Sequence, residues 1–139
     1  MKSNIIALVS ILLVALVFAV PALAGGWATI TLEELPTGVA AGEPLTVRFT
    51  VRQHGRTPMT DLTPKVTAEN AESGEMISAE ATPVEGQAGL YEATLTFTAP
   101  GTWEWHILAF TMVQRMPDLA VSDSILAERV ARQDRTVGE

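Results

Sequence analysis

The strongest constraint on the fold is a strict two-residue alternation in residues 45–52, Leu-Thr-Val-Arg-Phe-Thr-Val-Arg. In an extended chain, Leu45, Val47, Phe49 and Val51 project to one side, and the polar residues between them project to the other. This pattern predicts a half-buried antiparallel strand with one face on a core and the other in water.

Similar strand patterns recur along the chain and are separated by turns rich in glycine and proline. They occupy residues 27–35, 65–69, 76–82, 90–97, 102–110 and 116–122. About seven short strands at regular spacing predict an all-β fold, an antiparallel β-sandwich.

Strand parity also assigns the large side chains to a shared core between the two predicted sheets. The expected core includes Phe49, Val51, Tyr91, Leu95, Trp103 and Trp105. A tryptophan in a sandwich strand is typically a packing residue, so we predict no aromatic ligand platform there. Trp27 differs because it follows the apolar leader directly, and it is predicted to be an anchor at the membrane surface.

Residues 1–24 have the features of an export leader. Lys2 precedes an uncharged run of 16 residues (5–20), and Ala22 and Ala24 have the spacing that a signal peptidase accepts. If the leader is retained instead, residues 5–24 form a hydrophobic helix of about 30 Å, just enough to span a bilayer. A signal peptide and a retained membrane anchor both predict an extracytoplasmic domain, either membrane-associated or secreted.

The rest of the chain is long enough for one domain, predicted at residues 25–122, and a short helical or disordered tail at 123–139. The formal net charge is −7, which repels phosphate backbones and anionic lipid headgroups and therefore disfavours nucleic acid as a partner. The absence of cysteine excludes disulfides and thiolate sites.

Three stretches of the chain carry a family resemblance. They are residues 41–55, which begin Ala-Gly-Glu-Pro, then Gly89-Leu90-Tyr91, and then residues 99–105, Ala-Pro-Gly-Thr-Trp-Glu-Trp. Together they resemble the FixH/YtkA-like group of exported immunoglobulin-like domains, which is related in architecture to the CopC-type copper carriers. The resemblance covers about residues 27–121. It implies an immunoglobulin-like sandwich that acts as an extracytoplasmic accessory domain, in copper handling or in the assembly of respiratory oxidases.

The chain has two histidines and several methionines that bear on a metal site. Imidazole and thioether groups are soft ligands that suit copper(I). If copper binds, we predict His54, Met59 and His106 as ligands, with Met112 and Met116 as further members. The alternative is that the histidines are exposed on the outward faces of their strands and the methionines fill gaps in the sandwich.

No catalytic motif is present: the sequence lacks a Gly-x-Ser-x-Gly elbow, a phosphate loop and a metalloprotease helix. We therefore expect a non-enzymatic domain without a cofactor. It would contact subunits of a respiratory or other electron-transfer membrane complex, as a subunit or an assembly factor. Residues 112–139 are the predicted contact element because their apolar side chains exceed what the sandwich needs. The alternative function is a copper carrier.

Overall fold

The computed structural model describes residues 27–124 and 132–133. The predicted leader and most of the predicted helical tail lie outside these residues. Within the described part of the chain, no helix has the length and apolarity needed to cross a membrane.

The described residues contain ten β-strands, two of them only two residues long. They are β1 (Ala28–Leu32), β2 (Pro44–Gln53), β3 (Thr57–Pro58), β4 (Lys65–Asn70), β5 (Met76–Glu80), β6 (Thr82–Pro83), β7 (Leu90–Thr96), β8 (Gly101–Ala109), β9 (Met112–Arg115) and β10 (Leu119–Val121). Sheet 1 has the order β1-β2-β7-β6, with β3 paired to β2, and sheet 2 has the order β10-β8-β4-β5, with β9 paired to β8. Every pairing between these strands is antiparallel.

The predicted all-β class and the two antiparallel sheets are confirmed. The described strands outnumber the seven that we predicted, for two reasons. The two-residue strand β3 lies in a segment that the sequence marks as a loop, and the predicted strand at 76–82 divides at Ala81 into β5 in sheet 2 and the first residue of β6 in sheet 1. The predicted strand at 116–122 is shorter, and β9 precedes it on the same edge of β8.

The core lies between the two sheets and matches the predicted parity. All six residues expected there are buried, and Phe49, Val51 and Trp103 have no exposed surface. Phe49 stacks on Tyr91 with ring centroids 6.1 Å apart, and Phe97 meets Trp103 edge to face at 5.1 Å. Both buried indoles have a hydrogen-bond acceptor: Trp103 Nε1 donates to the Ala99 carbonyl at 3.0 Å, and Trp105 Nε1 to the Pro117 carbonyl at 2.7 Å.

The Gly89-Leu90-Tyr91 motif holds the connection between β2 and β4 against sheet 1. The Tyr91 hydroxyl donates to the Met59 carbonyl at 2.8 Å and accepts from the Leu62 N–H at 3.2 Å. Gly89 has a φ of 77°, and a Cβ there would lie 2.9 Å from the Cβ of Pro58. Only glycine fits this conformation and this close approach of two backbones. The motif therefore has a structural role.

A buried asparagine fixes the turn between β4 and β5. Asn70 is 2% exposed, and its Oδ1 accepts from the N–H groups of Glu72 and Ser73 at 2.9 and 3.0 Å. Its Nδ2 donates to the Pro100 carbonyl at 3.4 Å, which ties this turn to the β7–β8 connection. The sequence predicted a turn at this position but not this buried side chain.

One end of the sandwich, which we call the amino end, brings together the start of β1, the end of β2 and the β8–β9 turn. In sheet 1, β1 begins opposite Gln53, the last residue of β2. In sheet 2, β4 begins beside both the end of β5 and the end of β8. Ala81 alone separates β5 from β6, and β6 pairs near the start of β7, so these strand ends lie together. The amino end therefore comprises Trp27 and the turns at 54–56 and 110–111.

The opposite end, which we call the distal end, contains the β4–β5 turn, the β7–β8 connection and the end of β10. The chain leaves the sandwich here: the Ser122 N–H donates to the Val39 carbonyl at 2.9 Å, and Ala40 and Ser122 form a parallel bridge. Residues 27 and 122 thus lie at opposite ends of the domain.

The prediction that residues 112–139 carry surplus apolar side chains was wrong for the first part of that segment. Met116 and Leu119 are buried core residues, and Met112 is partly buried against the same core. These side chains complete the sandwich through β9 and β10. The other apolar residues of the predicted contact element, Ile125, Leu126 and Val130, lie outside the described residues.

Candidate functional site

His54 lies in the turn that follows β2, at the amino end. Its φ is 51°, its N–H donates to the Trp27 carbonyl at 3.0 Å, and its ring meets the Trp27 ring edge to face at 5.7 Å. The side chain is exposed. This imidazole therefore packs on the exposed tryptophan, beside the point where the chain enters the sandwich.

His106 lies in the other sheet, in the middle of β8. Its neighbours in register are Thr67 on β4 and Arg115 on β9, and these three residues share the outer face of sheet 2 because directly paired residues project to the same side. Hydrogen bonding to Asp118, together with the nearby Glu104 carboxylate, raises the pKa of Arg115. The neighbour of His106 is thus a cation that is paired with two carboxylates, Glu104 at 3.1 Å and Asp118 at 3.0 Å.

The three methionines proposed as ligands face the core. Met59 packs against it beside the Tyr91 hydroxyl, Met112 pairs with the buried Ala109, and Met116 is 4% exposed. The structure therefore places His54 in an exposed turn at the amino end, His106 on the outer face of sheet 2, and the methionines in or against the core. Among the described residues, no group of three or more histidine and carboxylate side chains has the arrangement of a metal site. The five predicted ligands do not converge in this fold, so we derive no copper chemistry from it, and copper binding stays a prediction for metal analysis.

Two shallow clefts are present in the described part of the chain. One, of about 270 Å³, lies between the segment after β1 and the first half of β2, and it is lined by Glu33, Glu34 and Arg48. The other, of about 390 Å³, lies beside the Tyr91 ring and is lined by Asp61, Gln87 and glycines. Thr60 also lines the second cleft, and its hydroxyl donates to the exposed Asp61 carboxylate at 3.2 Å.

The amino end carries exposed apolar side chains that sequence reasoning largely missed. Trp27 is 53% exposed, Phe110 53% and Val113 64%. Residues 110–111 form a two-residue turn, because Ala109 pairs with Met112 across the hairpin. Phe110 has a φ of 56°, at a turn position that usually holds glycine. Sequence patterning placed Phe110 at the end of a strand and contained no glycine that would have marked the turn.

Charge divides between the two ends of the sandwich. Arg52, Arg56 and Lys65 are exposed at the amino end and form no ion pair within the described residues, although Glu80 lies opposite Lys65 in register. The distal end and its flanks carry mainly carboxylates: Glu33, Glu34, Glu43, Glu69, Glu72, Glu75, Glu104 and Asp118. Asp61, Glu80 and Glu85 are also exposed at the amino end, so the formal charges there balance, whereas the distal end is strongly acidic.

The topology defines the class of protein. One sheet takes the first, second and fifth long strands, and the other takes the strands between and after them, which is the arrangement of an immunoglobulin-like sandwich. A sequence profile of the YtkA-like family matches residues 26–107. The chain belongs to the YtkA-like family. The matched range ends before the β8–β9 turn, so Phe110 and Val113 lie beyond it.

Two solved structures are similar to this chain. Domains 4 and 5 of the S-layer protein SbsC match with 18% identity and a TM-score of 0.45, over 68% of this chain and 51% of that one. The chain thus spans about half the length of that structure. The filamin domain of Lin-41 matches with 12% identity and a TM-score of 0.48, over 68% of this chain and 90% of that one. A search of curated proteins found no match.

Proposed function

We propose that this chain is a non-enzymatic extracytoplasmic accessory domain that is held at a membrane and acts through protein contacts. Its partners would be subunits of a respiratory or other electron-transfer membrane complex, which it would serve as a subunit or an assembly factor. Membership of the YtkA-like family supports the accessory role. The apolar run at residues 5–20 supports the position at the membrane.

The observation that carries this proposal is where the described part of the chain places its predicted ligands and its exposed side chains. The predicted soft ligands are divided between the turn after β2, the outer face of sheet 2 and the core. What the sandwich does offer is surface: an amino end with exposed aromatic side chains and balanced charges, and an acidic distal end. Such a surface suits recognition.

Isolation of the native assembly tests this function. The full chain, tagged at its carboxyl terminus and expressed in its own host, should co-purify from mildly solubilised membranes with other membrane subunits. Intact-mass measurement would show whether the leader is retained. A matched control chain with a cleavable leader would separate the contribution of the tether from that of the sandwich.

Recovery of the protein alone, and only from the soluble fraction, would contradict the proposal. Metal analysis of the same preparation tests the alternative function. Stoichiometric copper that disappears in a His54→Ala, His106→Ala double variant would favour a copper carrier.

A further inference from the structure

We propose that the amino end of the sandwich is a lipid-facing surface, which rests on the headgroup region of a bilayer through Trp27 and the β8–β9 turn. This inference deepens the proposed function, because it rests on the position at the membrane and specifies how the domain is oriented there. It does not depend on which membrane complex the domain serves.

The first support is the place where the rest of the chain joins the sandwich. The 26 residues before Trp27 include the uncharged run at 5–20, and they enter at the amino end. Gly25 and Gly26 are the only residues between Ala24 and Trp27, and two residues span at most about 7 Å. If the apolar run lies in a bilayer, the half-exposed Trp27 indole reaches the interface, where tryptophan is enriched because it is both apolar and polar.

The second support is the β8–β9 turn at the same end. Phe110 exposes half of its surface while its backbone has a φ of 56°, a conformation that is strained for a residue with a side chain. Val113 adds an exposed apolar side chain on the next strand. Strain that places a large aromatic ring in solvent, where glycine would be free of strain, indicates that the ring has a binding role.

The third support is the charge around these apolar groups. Arg52, Arg56 and Lys65 flank the amino end and have no ion-pair partner among the described residues. Basic side chains near a surface of anionic lipid are attracted to its phosphates, whereas the carboxylates of the distal end are repelled. The two exposed apolar residues toward the distal end, Leu35 and Met76, lie beside Glu34 and Glu75 respectively. Asp61, Glu80 and Glu85 are exposed at the amino end too, so the formal charges there balance, and the acidic distal end is the end that anionic lipid repels. Charge therefore favours the orientation with the amino end toward the bilayer.

A bilayer fits these observations better than a protein partner does. The apolar groups lie at the end where an apolar chain enters, and the chain leaves the sandwich at the opposite end. A rim of exposed rings and basic groups matches the chemistry of the lipid interface, in which aromatic and basic side chains anchor a protein.

Quenching of tryptophan fluorescence by brominated lipids tests the orientation. The chain has three tryptophans, and Trp103 and Trp105 are buried, so only Trp27 is open to a quencher. The full chain would be reconstituted into vesicles of phosphatidylcholine and phosphatidylglycerol that contain brominated acyl chains. In a Trp27→Phe, Phe110→Trp variant, the exposed indole reports the depth of the β8–β9 turn. The matched control is Trp27→Phe, Leu35→Trp, which places the indole toward the distal end.

We expect the indole at position 110 to lose emission on bromination of the lipid, while the indole at position 35 keeps it. Replacing Arg52, Arg56 and Lys65 by glutamine should reduce the loss at position 110. An equal loss of emission at positions 110 and 35 on bromination, or no loss at either, would overturn the proposal whatever happens at Trp27. Such a result would show a tethered domain without a preferred face. Since the vesicles contain no other protein, this outcome leaves the co-purification test of the proposed function unaffected. Loss at position 110 only after a membrane complex is added would also overturn the proposal, in favour of a protein partner.

Discussion

At the scale of single residues, Trp105 combines apolar burial with a buried hydrogen bond. Its ring is 1% exposed, and its Nε1 donates to the Pro117 carbonyl in the connection between β9 and β10. We expect Trp105→Ala to lower the free energy of unfolding by about 3–5 kcal/mol, through lost burial and the cavity that remains. Urea denaturation followed by fluorescence measures this change, and a loss below about 1 kcal/mol would contradict the assigned packing.

Trp105→Phe separates the hydrogen bond from the burial. Phenylalanine keeps most of the apolar contact but leaves the Pro117 carbonyl without its donor, so the expected loss is smaller, about 1–3 kcal/mol. If the phenylalanine variant is as unstable as the alanine variant, the hydrogen bond rather than the burial dominates at this position.

Asn70 is a second residue whose role becomes visible only in the structure. Its side chain satisfies two N–H groups of the β4–β5 turn and one carbonyl of the β7–β8 connection. Asn70→Ala should lower the free energy of unfolding by about 1–3 kcal/mol, because these backbone groups lose their partners. Thermal denaturation checks this, with Thr67→Ala on the outer face of the same strand as the control, which we expect to change stability by less than about 0.5 kcal/mol.

At the scale of elements, the β8–β9 hairpin exposes the Phe110 ring at a cost in the free energy of unfolding. Phe110→Gly removes the strain of a positive φ and little burial, since the ring is half-exposed. We expect this variant to raise the free energy of unfolding by about 0.5–1 kcal/mol, measured by urea denaturation. Phe110→Ala is the matched control, because it removes the ring but keeps a Cβ at the same backbone conformation. Equal stability of the two variants would show that the turn is not strained.

The elements also show what the sequence could and could not predict. Period-two alternation placed β2, β7 and β8 and the core side chains that they share, because burial of one face determines which side chain points inward. It could not place β9, since Met112 and Gln114 alternate too weakly with their neighbours to suggest a strand. It also could not anticipate the separation of His54 from His106, which depends on how the strands are assigned to two sheets. The assignment of strands to one sheet or the other is a tertiary property that local periodicity does not encode.

At the scale of the whole molecule, the chain enters and leaves the sandwich at opposite ends. If the amino end rests on lipid, the segment after Ser122 leaves the domain on its far side from the bilayer, beside the acidic distal surface. Tethering near a membrane raises the effective concentration of that surface toward neighbouring subunits. On this proposal, the two ends would have different tasks, with attachment at one end and partner contact at the other.

Removing residues 123–139 tests this division of tasks. The truncated chain keeps Ser122 with its bond to the Val39 carbonyl, and all ten described strands. We therefore expect its melting temperature to fall by less than about 4 °C, the shift that corresponds to about 1 kcal/mol in a domain of this size. We also expect it to lose co-purification with the membrane complex, because the removed segment carries Ile125, Leu126 and Val130. A full-length variant with these three residues changed to serine is the matched control, and it should behave as the truncated chain does. Unchanged co-purification of both variants would place the contacts on the sandwich itself, whereas a large fall in melting temperature would show that the tail belongs to the fold.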